Sequence, residues 1–106
     1  SLSMRGNLLQ SLPKSIGLLT DLKVLDLKGN ELKEIPMTIT SLSKLKYLNL
    51  AFNPDLDFAI VLASLGKLKN LEKLDLSYNN VDPHIIDKFK ESSNCKIVKQ
   101  ELTPSK

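Results

Sequence analysis

Cysteine, histidine and aromatic residues are scarce in this sequence. Its 106 residues include one cysteine, one histidine, no tryptophan, two tyrosines and three phenylalanines. A single cysteine excludes an internal disulfide and a structural zinc site built on cysteines. Basic residues outnumber acidic residues by only 15 to 12, a mild excess that does not indicate nucleic-acid binding. Every apolar run is shorter than the roughly 18 residues that span a bilayer, so the sequence predicts no membrane partner.

Residue groups that support catalysis or bind a cofactor are also missing from the sequence. The four glycines are dispersed and form no phosphate-binding loop, and the acidic residues have no metal-loop spacing. His84 has no predicted Ser or Cys partner and is interpreted as a surface residue. Cys95 is interpreted as a small apolar core group rather than a reactive thiol. The sequence therefore predicts a protein that is not an enzyme and carries no cofactor or metal.

Leucine, by contrast, accounts for 22 of the 106 residues, and its spacing is periodic. The string Leu-x-x-Leu-x-Leu-x-x-Asn ends at Asn30, Asn53 and Asn79, and a partial copy ends at Asn7. Successive asparagines are 23, 23 and 26 residues apart. The alternation in Leu-x-Leu indicates short strands with inward leucines, which would stack into a parallel sheet. The four asparagines fall where the strands turn, and their amides are predicted to bond the backbone of neighbouring turns.

These strings, with Leu12-Pro13 and Ile35-Pro36 on the outer arc, resemble the leucine-rich repeat family in its 23-residue form. The resemblance extends over residues 2–98. It implies an α/β solenoid, a right-handed βα superhelix with a short parallel sheet on the concave face and irregular or short-helical convex arcs. The predicted units are a partial repeat at 1–19 and repeats at 20–42, 43–68 and 69–91, with a C-terminal cap to residue 98. Residues 99–106 are predicted to form a flexible tail.

Two repeats depart from the template on the outer arc. In the third interval, four apolar residues at helical spacing predict a short helix: Phe58, Val61, Leu62 and Leu65. Asp82-Pro83 combines an N-cap with proline at the first helical position, and predicts a second helix to about Glu91. Cys95–Val98 is predicted as a last edge strand. This closing helix, turn and strand resemble the C-terminal cap of many bacterial leucine-rich repeat proteins.

Nothing that resembles a cap precedes Leu2, although terminal repeats need a polar cover. We therefore expect this sequence to be the C-terminal end of a longer array. The strand around Ser3 would then have an exposed edge next to an uncovered apolar layer. Such an edge predicts either that the first repeat frays or that two molecules cover each other's ends, and we favour self-association through the N-terminal end of the array.

The predicted sheet also defines a candidate binding surface. One row of outward positions contains Asp26, Asn49 and Asp75, which are interpreted either as an acceptor row for a basic partner or as a plain solvated row. Phe52 and Tyr78 occupy strand-exit positions where the earlier repeats have Gly6 and Gly29. With Tyr47, they are predicted to form one exposed aromatic corner, unless Phe52 packs under the neighbouring turn. The full set of predicted partner-binding residues is Val24, Asp26, Lys28, Tyr47, Asn49, Phe52, Lys73, Asp75 and Tyr78.

The function that follows is a protein-binding scaffold without catalytic activity, which the family resemblance also implies. An alternative is the substrate-recruiting repeat region of a larger signalling enzyme or effector. A third interpretation is a spacer with no ligand of its own. No Asn-x-Ser/Thr triplet occurs in the sequence, and we interpret the protein as cytoplasmic.

Overall fold

A computed structural model describes residues 1–102 of the chain, and its main feature is a five-stranded parallel sheet. The strands pair in chain order, as the repeats predicted. Each strand is only two or three residues long. The strands are β1 (Leu2–Ser3), β2 (Val24–Asp26), β3 (Tyr47–Asn49), β4 (Lys73–Asp75) and β5 (Lys96–Val98).

The register of the sheet aligns the inward leucines of successive repeats. Leu25 pairs with Leu48 and Leu48 with Leu74, and Leu74 then pairs with Ile97. All three leucines are buried, with at most 1% of their surface exposed. Because the strands are parallel and in register, the leucines of each repeat stack on those of the next. The core is therefore continuous along the array.

Short helices cover the other side of this core. Two 3₁₀ helices, Lys14–Leu18 and Met37–Ser41, follow Pro13 and Pro36. Helix α1 (Phe58–Leu65) and helix α2 (Pro83–Ser92) serve the later repeats, as predicted. Asp57 and Asp82 cap these helices by accepting bonds from the backbone N–H groups of Ile60 and His84. None of the helices within residues 1–102 has the length and apolar character needed to cross a membrane.

The two 3₁₀ helices pack closely, because the first has a glycine, Gly17, where it faces Thr38 of the second. A Cβ atom placed on Gly17 would lie 2.7 Å from both the Cβ and the carbonyl oxygen of Thr38. The Thr38 hydroxyl also donates to the carbonyl of Lys14 at 2.7 Å. The first two complete outer arcs thus meet backbone to backbone.

The turn asparagines form a ladder of buried amides. Asn30, Asn53 and Asn79 are at most 8% exposed. Each donates its amide to a carbonyl of the preceding repeat: Asn30 to Met4, Asn53 to Leu27 and Asn79 to Leu50, all at 2.9 to 3.0 Å.

Asn7 differs from the other three turn asparagines, because it is exposed. Its backbone N–H donates to the Oδ1 atom of Asn30. No repeat lies before Asn7 among the described residues, so its amide has no carbonyl of that kind to reach. The structural role predicted for the Asn7 side chain stays a prediction.

The last strand continues into ordered backbone beyond residue 98. The backbone N–H of Tyr78 donates to the carbonyl of Gln100, and Lys99 Nζ donates to the carbonyl of Val81. Residues 99 and 100 thus belong to the sheet edge rather than to the predicted tail. Residues 103–106 of that tail lie outside the described residues.

Cys95 is buried in the core at 5% exposure, as its interpretation as a core group predicted. Burial raises the pKa of its thiol from 9.0 to about 11. The thiolate, which is the nucleophile, is therefore nearly absent at neutral pH. His84, the other residue considered for chemistry, is exposed on the first turn of α2.

Burial of this thiol predicts a measurable pH dependence. Because the folded pKa is raised, the folded state favours the protonated thiol, and that contribution is complete below the unfolded pKa. The unfolding free energy should therefore fall between pH 9 and about 11, as the unfolded thiol ionises first. Urea unfolding followed by circular dichroism measures this, with Cys95→Ala as the control for other groups that titrate there. If the unfolding free energies of the parent and Cys95→Ala depended on pH in the same way, the conclusion that burial raises the pKa of this thiol would be contradicted.

Candidate protein-binding surface

The side chains of the outward row at the centre of the sheet form hydrogen bonds with the backbone. Asp26, Asn49 and Asp75 each accept a bond from the backbone N–H two residues later, at 2.9 to 3.1 Å. Such side-chain turns satisfy the backbone where the strand ends. Both Asp and Asn can accept this bond, which explains why both residue types occur at this position.

Asn49 is 2% exposed, so its predicted role as a partner contact is wrong. Its amide oxygen is engaged by the N–H of Ala51, and its side chain lies in the middle of the sheet between its register partners Asp26 and Asp75. The two aspartates remain partly exposed. Asp26 also forms an ion pair with Arg5, whose Nε lies 2.6 Å from its Oδ2.

Tyr47 lies at the beginning of β3, near these charges. Lys73 Nζ is 5.3 Å from the centre of its ring, a cation–π contact. Burial raises the pKa of Tyr47, and the negative charges of Asp75 and Asp26 raise it further. Val24, its partner in register on β2, is half-buried. Tyr47 is therefore embedded in a charged part of the sheet.

Phe52 and Tyr78 form a separate aromatic pair in the turns that follow β3 and β4. Their rings are stacked with centroids 4.4 Å apart and planes inclined by 20°. Lys28 Nζ lies 5.8 Å from the Phe52 ring and 5.7 Å from the Tyr78 ring. The Tyr78 hydroxyl bonds Oε1 of Gln100 at 2.8 Å. We call Lys28, Phe52, Tyr78 and Gln100 the strand-exit corner.

The backbone of this pair is left-handed. Phe52 has φ = 54° and Tyr78 has φ = 60°, close to the values of 65° and 74° at Gly6 and Gly29. The structure thus confirms that the four positions are equivalent. Glycine adopts this conformation freely, whereas a bulky residue there is strained by about 1 to 3 kcal/mol. Two repeats therefore hold aromatic side chains at positions that suit glycine.

The prediction of one aromatic corner is wrong for Tyr47. Tyr47 begins β3 and has Lys73 over its ring, whereas Phe52 follows the strand and stacks on Tyr78. Phe52 is 37% exposed and does not pack under the neighbouring turn. Gln100 was missed because its position in the sequence suggested a tail.

Within residues 1–102, no group of three or more His, Cys, Asp or Glu side chains could hold a metal ion.

Comparison with known proteins identifies the family. The sequence matches the family described as "Leucine-rich repeat region" over residues 1–103. The chain belongs to the leucine-rich repeat family. A leucine-rich repeat protein of Leptospira interrogans has a similar solved structure, with a TM-score of 0.62 and 24% identity. That match covers 91% of this chain, which spans 30% of the length of the other. None of the curated proteins matches this sequence.

The leucine-rich repeat fold suggests a protein-interaction scaffold, and proteins of this family are typically not catalytic. The parallel sheet and short helices described above are those expected of a leucine-rich repeat solenoid. At 24% identity, the Leptospira structure indicates the fold alone.

Proposed function

We propose that this leucine-rich repeat chain is a non-catalytic scaffold that binds a protein partner through the strand-exit corner and the adjoining sheet face. The observation that supports this most strongly is the stacked pair of Phe52 and Tyr78 at left-handed backbone positions. A residue with a strained backbone conformation persists where the surrounding structure holds it, and such sites are often functional. Aromatic residues are also the commonest binding hot spots.

The charge around the pair indicates which partner groups would fit. Lys28 Nζ lies near both rings and approaches no carboxylate within 4 Å among the described residues. A partner that brings an apolar or aromatic side chain onto the rings, with a carboxylate beside Lys28, would satisfy both features. Asp26, Asp75, Lys73 and Tyr47 would form the more polar part of the same surface, with Val24 at its border.

Replacing both aromatic residues with glycine tests this proposal. Phe52→Gly with Tyr78→Gly removes the rings but leaves the residue type that Gly6 and Gly29 already provide. The fold should therefore be retained, and affinity for a protein partner should fall by about 2 kcal/mol, roughly 30-fold.

The partner is first recovered from a cell lysate with the parent chain and then purified. Isothermal titration calorimetry compares its affinity for the parent, the double glycine variant and Lys33→Ala, an exposed residue on the outer arc. Circular dichroism checks the fold. Unchanged affinity in the double variant would contradict the proposed surface, whereas loss of affinity in Lys33→Ala would move it to the outer arc.

A further inference from the structure

Helix α1 has an outer face that residues 1–102 leave exposed. None of its eight residues is charged, whereas α2 has five charged or titratable side chains over ten residues. Its inner face packs into the core, but Ala59, Ile60 and Ala63 are exposed. Ile60 alone has 65% of its surface in contact with solvent. A helix that is apolar on all sides is usually buried on all sides.

The exposed face extends to the neighbouring arc. Met37, at the start of the second 3₁₀ helix, is 58% exposed, and its sulfur lies 3.5 Å from the hydroxyl oxygen of Ser64 in α1. A shallow depression of about 400 Å³ is lined by Ala59, Ile60, Ala63, Ser64 and Lys67. The outer face of α1 and Met37 thus form one apolar patch, here called the α1 patch.

Charges at the two ends of α1 are of opposite sign. Asp55 and Asp57 lie before the helix, and Lys67 and Lys69 lie after it; all four are exposed. An antiparallel copy of the same helix would bring its basic end over the acidic end of the first, and its acidic end over the basic one. The same match occurs twice, as a two-fold contact requires. In a parallel arrangement like charges would meet at both ends.

Side-chain size fits the same arrangement. In an antiparallel pair centred on α1, Ile60 of one copy lies near Ala63 of the other, and the reverse contact is identical. A large apolar side chain then meets the shallow depression beside a small one. We propose that the α1 patch binds the α1 patch of a second copy of this chain in an antiparallel, two-fold dimer.

The patch is small, so the dimer should be transient. Interfaces below about 1,200 Å² belong to weak complexes, and we expect half-dissociation at about 100 μM. Sedimentation velocity and light scattering of the purified 106-residue chain from 10 μM to 1 mM measure it. The expected result is a monomer–dimer equilibrium that stops at the dimer.

Ile60→Glu tests the apolar contact. The substitution acts twice in the dimer and brings two carboxylates near the two-fold axis, so the dimer dissociation constant should rise at least about 30-fold. Leu18→Glu is the matched control, because Leu18 is a 79% exposed apolar residue of the first 3₁₀ helix. It should dimerise like the parent. Thermal unfolding of each variant confirms that the fold is retained.

Charge reversal tests the antiparallel direction. Lys67→Asp should weaken the dimer, since it places a carboxylate opposite Asp55 of the second copy, and Asp55→Lys combined with Lys67→Asp should restore it. Asp57 is left unchanged because it caps the helix. A parent chain that stays monomeric to 1 mM, or an Ile60→Glu variant that dimerises like the parent, would overturn the proposal.

Two further outcomes would also overturn it. Association that is abolished by Leu2→Lys and not by Ile60→Glu would assign the contact to the edge of β1, where the sequence predicted self-association. Growth beyond the dimer would exclude a closed two-fold contact. The double glycine variant of the strand-exit corner should dimerise normally, so failure of the proposed binding function and failure of this dimer are distinguishable.

Discussion

Replacing Asn53 with alanine should lower the free energy of unfolding by about 3 kcal/mol. Asn53 is fully buried, and its amide donates to the carbonyls of Leu27, Leu50 and Ala51. Its oxygen accepts from the backbone N–H of Leu32. Alanine leaves these groups buried without that partner, and an unsatisfied buried polar group is costly.

Asn7→Ala is the matched control for Asn53→Ala. Asn7 has the same place in its repeat but is exposed, so its loss should change stability by less than about 0.5 kcal/mol. Urea unfolding of both variants, followed by circular dichroism, gives the comparison. Equal effects of the two substitutions would mean that the asparagines do not hold the stack through their amides.

Replacing Gly17 with alanine should destabilise the chain by about 2 to 3 kcal/mol. The added Cβ would lie 2.7 Å from Thr38 Cβ and 2.7 Å from the Thr38 carbonyl oxygen. The carbonyl is backbone and cannot rotate away as a flexible side chain would. The two 3₁₀ helices would therefore have to separate, which also strains the bond between Thr38 and Lys14.

Gly66→Ala, by contrast, should raise the free energy of unfolding. Gly66 follows α1 with φ = −59°, and the nearest atoms to an added Cβ lie at 3.6 Å. Alanine is compatible with this conformation and restricts the unfolded chain, so stability should rise by about 0.5 to 1 kcal/mol. Differential scanning calorimetry of Gly17→Ala and Gly66→Ala compares them directly. A neutral Gly17→Ala would show that the arcs have room to adjust.

The fold was largely predictable, because it depends on residues whose spacing carries the information. The leucines around Asn30 and Asn53 specify strand, turn and inward face at once, and Asp82-Pro83 marks a helix start by its chemistry. Gln100 was misread as part of a tail, because its surroundings depend on the repeat that lies beside it. Contacts between repeats belong to the tertiary structure, and a local sequence pattern does not predict them.

The candidate site was less predictable than the fold. Alternation correctly assigns Asn49 to the outward row, but outward does not mean exposed when the side chain folds back on the Ala51 N–H. The equivalence of Phe52 and Tyr78 with two glycines was visible in the sequence. Their stacking and the position of Lys28 beside both rings depend on side-chain torsions, which sequence spacing leaves open.

The asparagine ladder has a direction along the chain. Every inter-repeat bond made by the side chains of Asn30, Asn53 and Asn79 has its partner earlier in the sequence, from Met4 for the first to Leu50 for the last. During synthesis each of these asparagines leaves the ribosome after the groups that it will bond. Each of these side chains can therefore make its bonds as soon as its own repeat has been translated, and in doing so it completes the turn of the repeat before it.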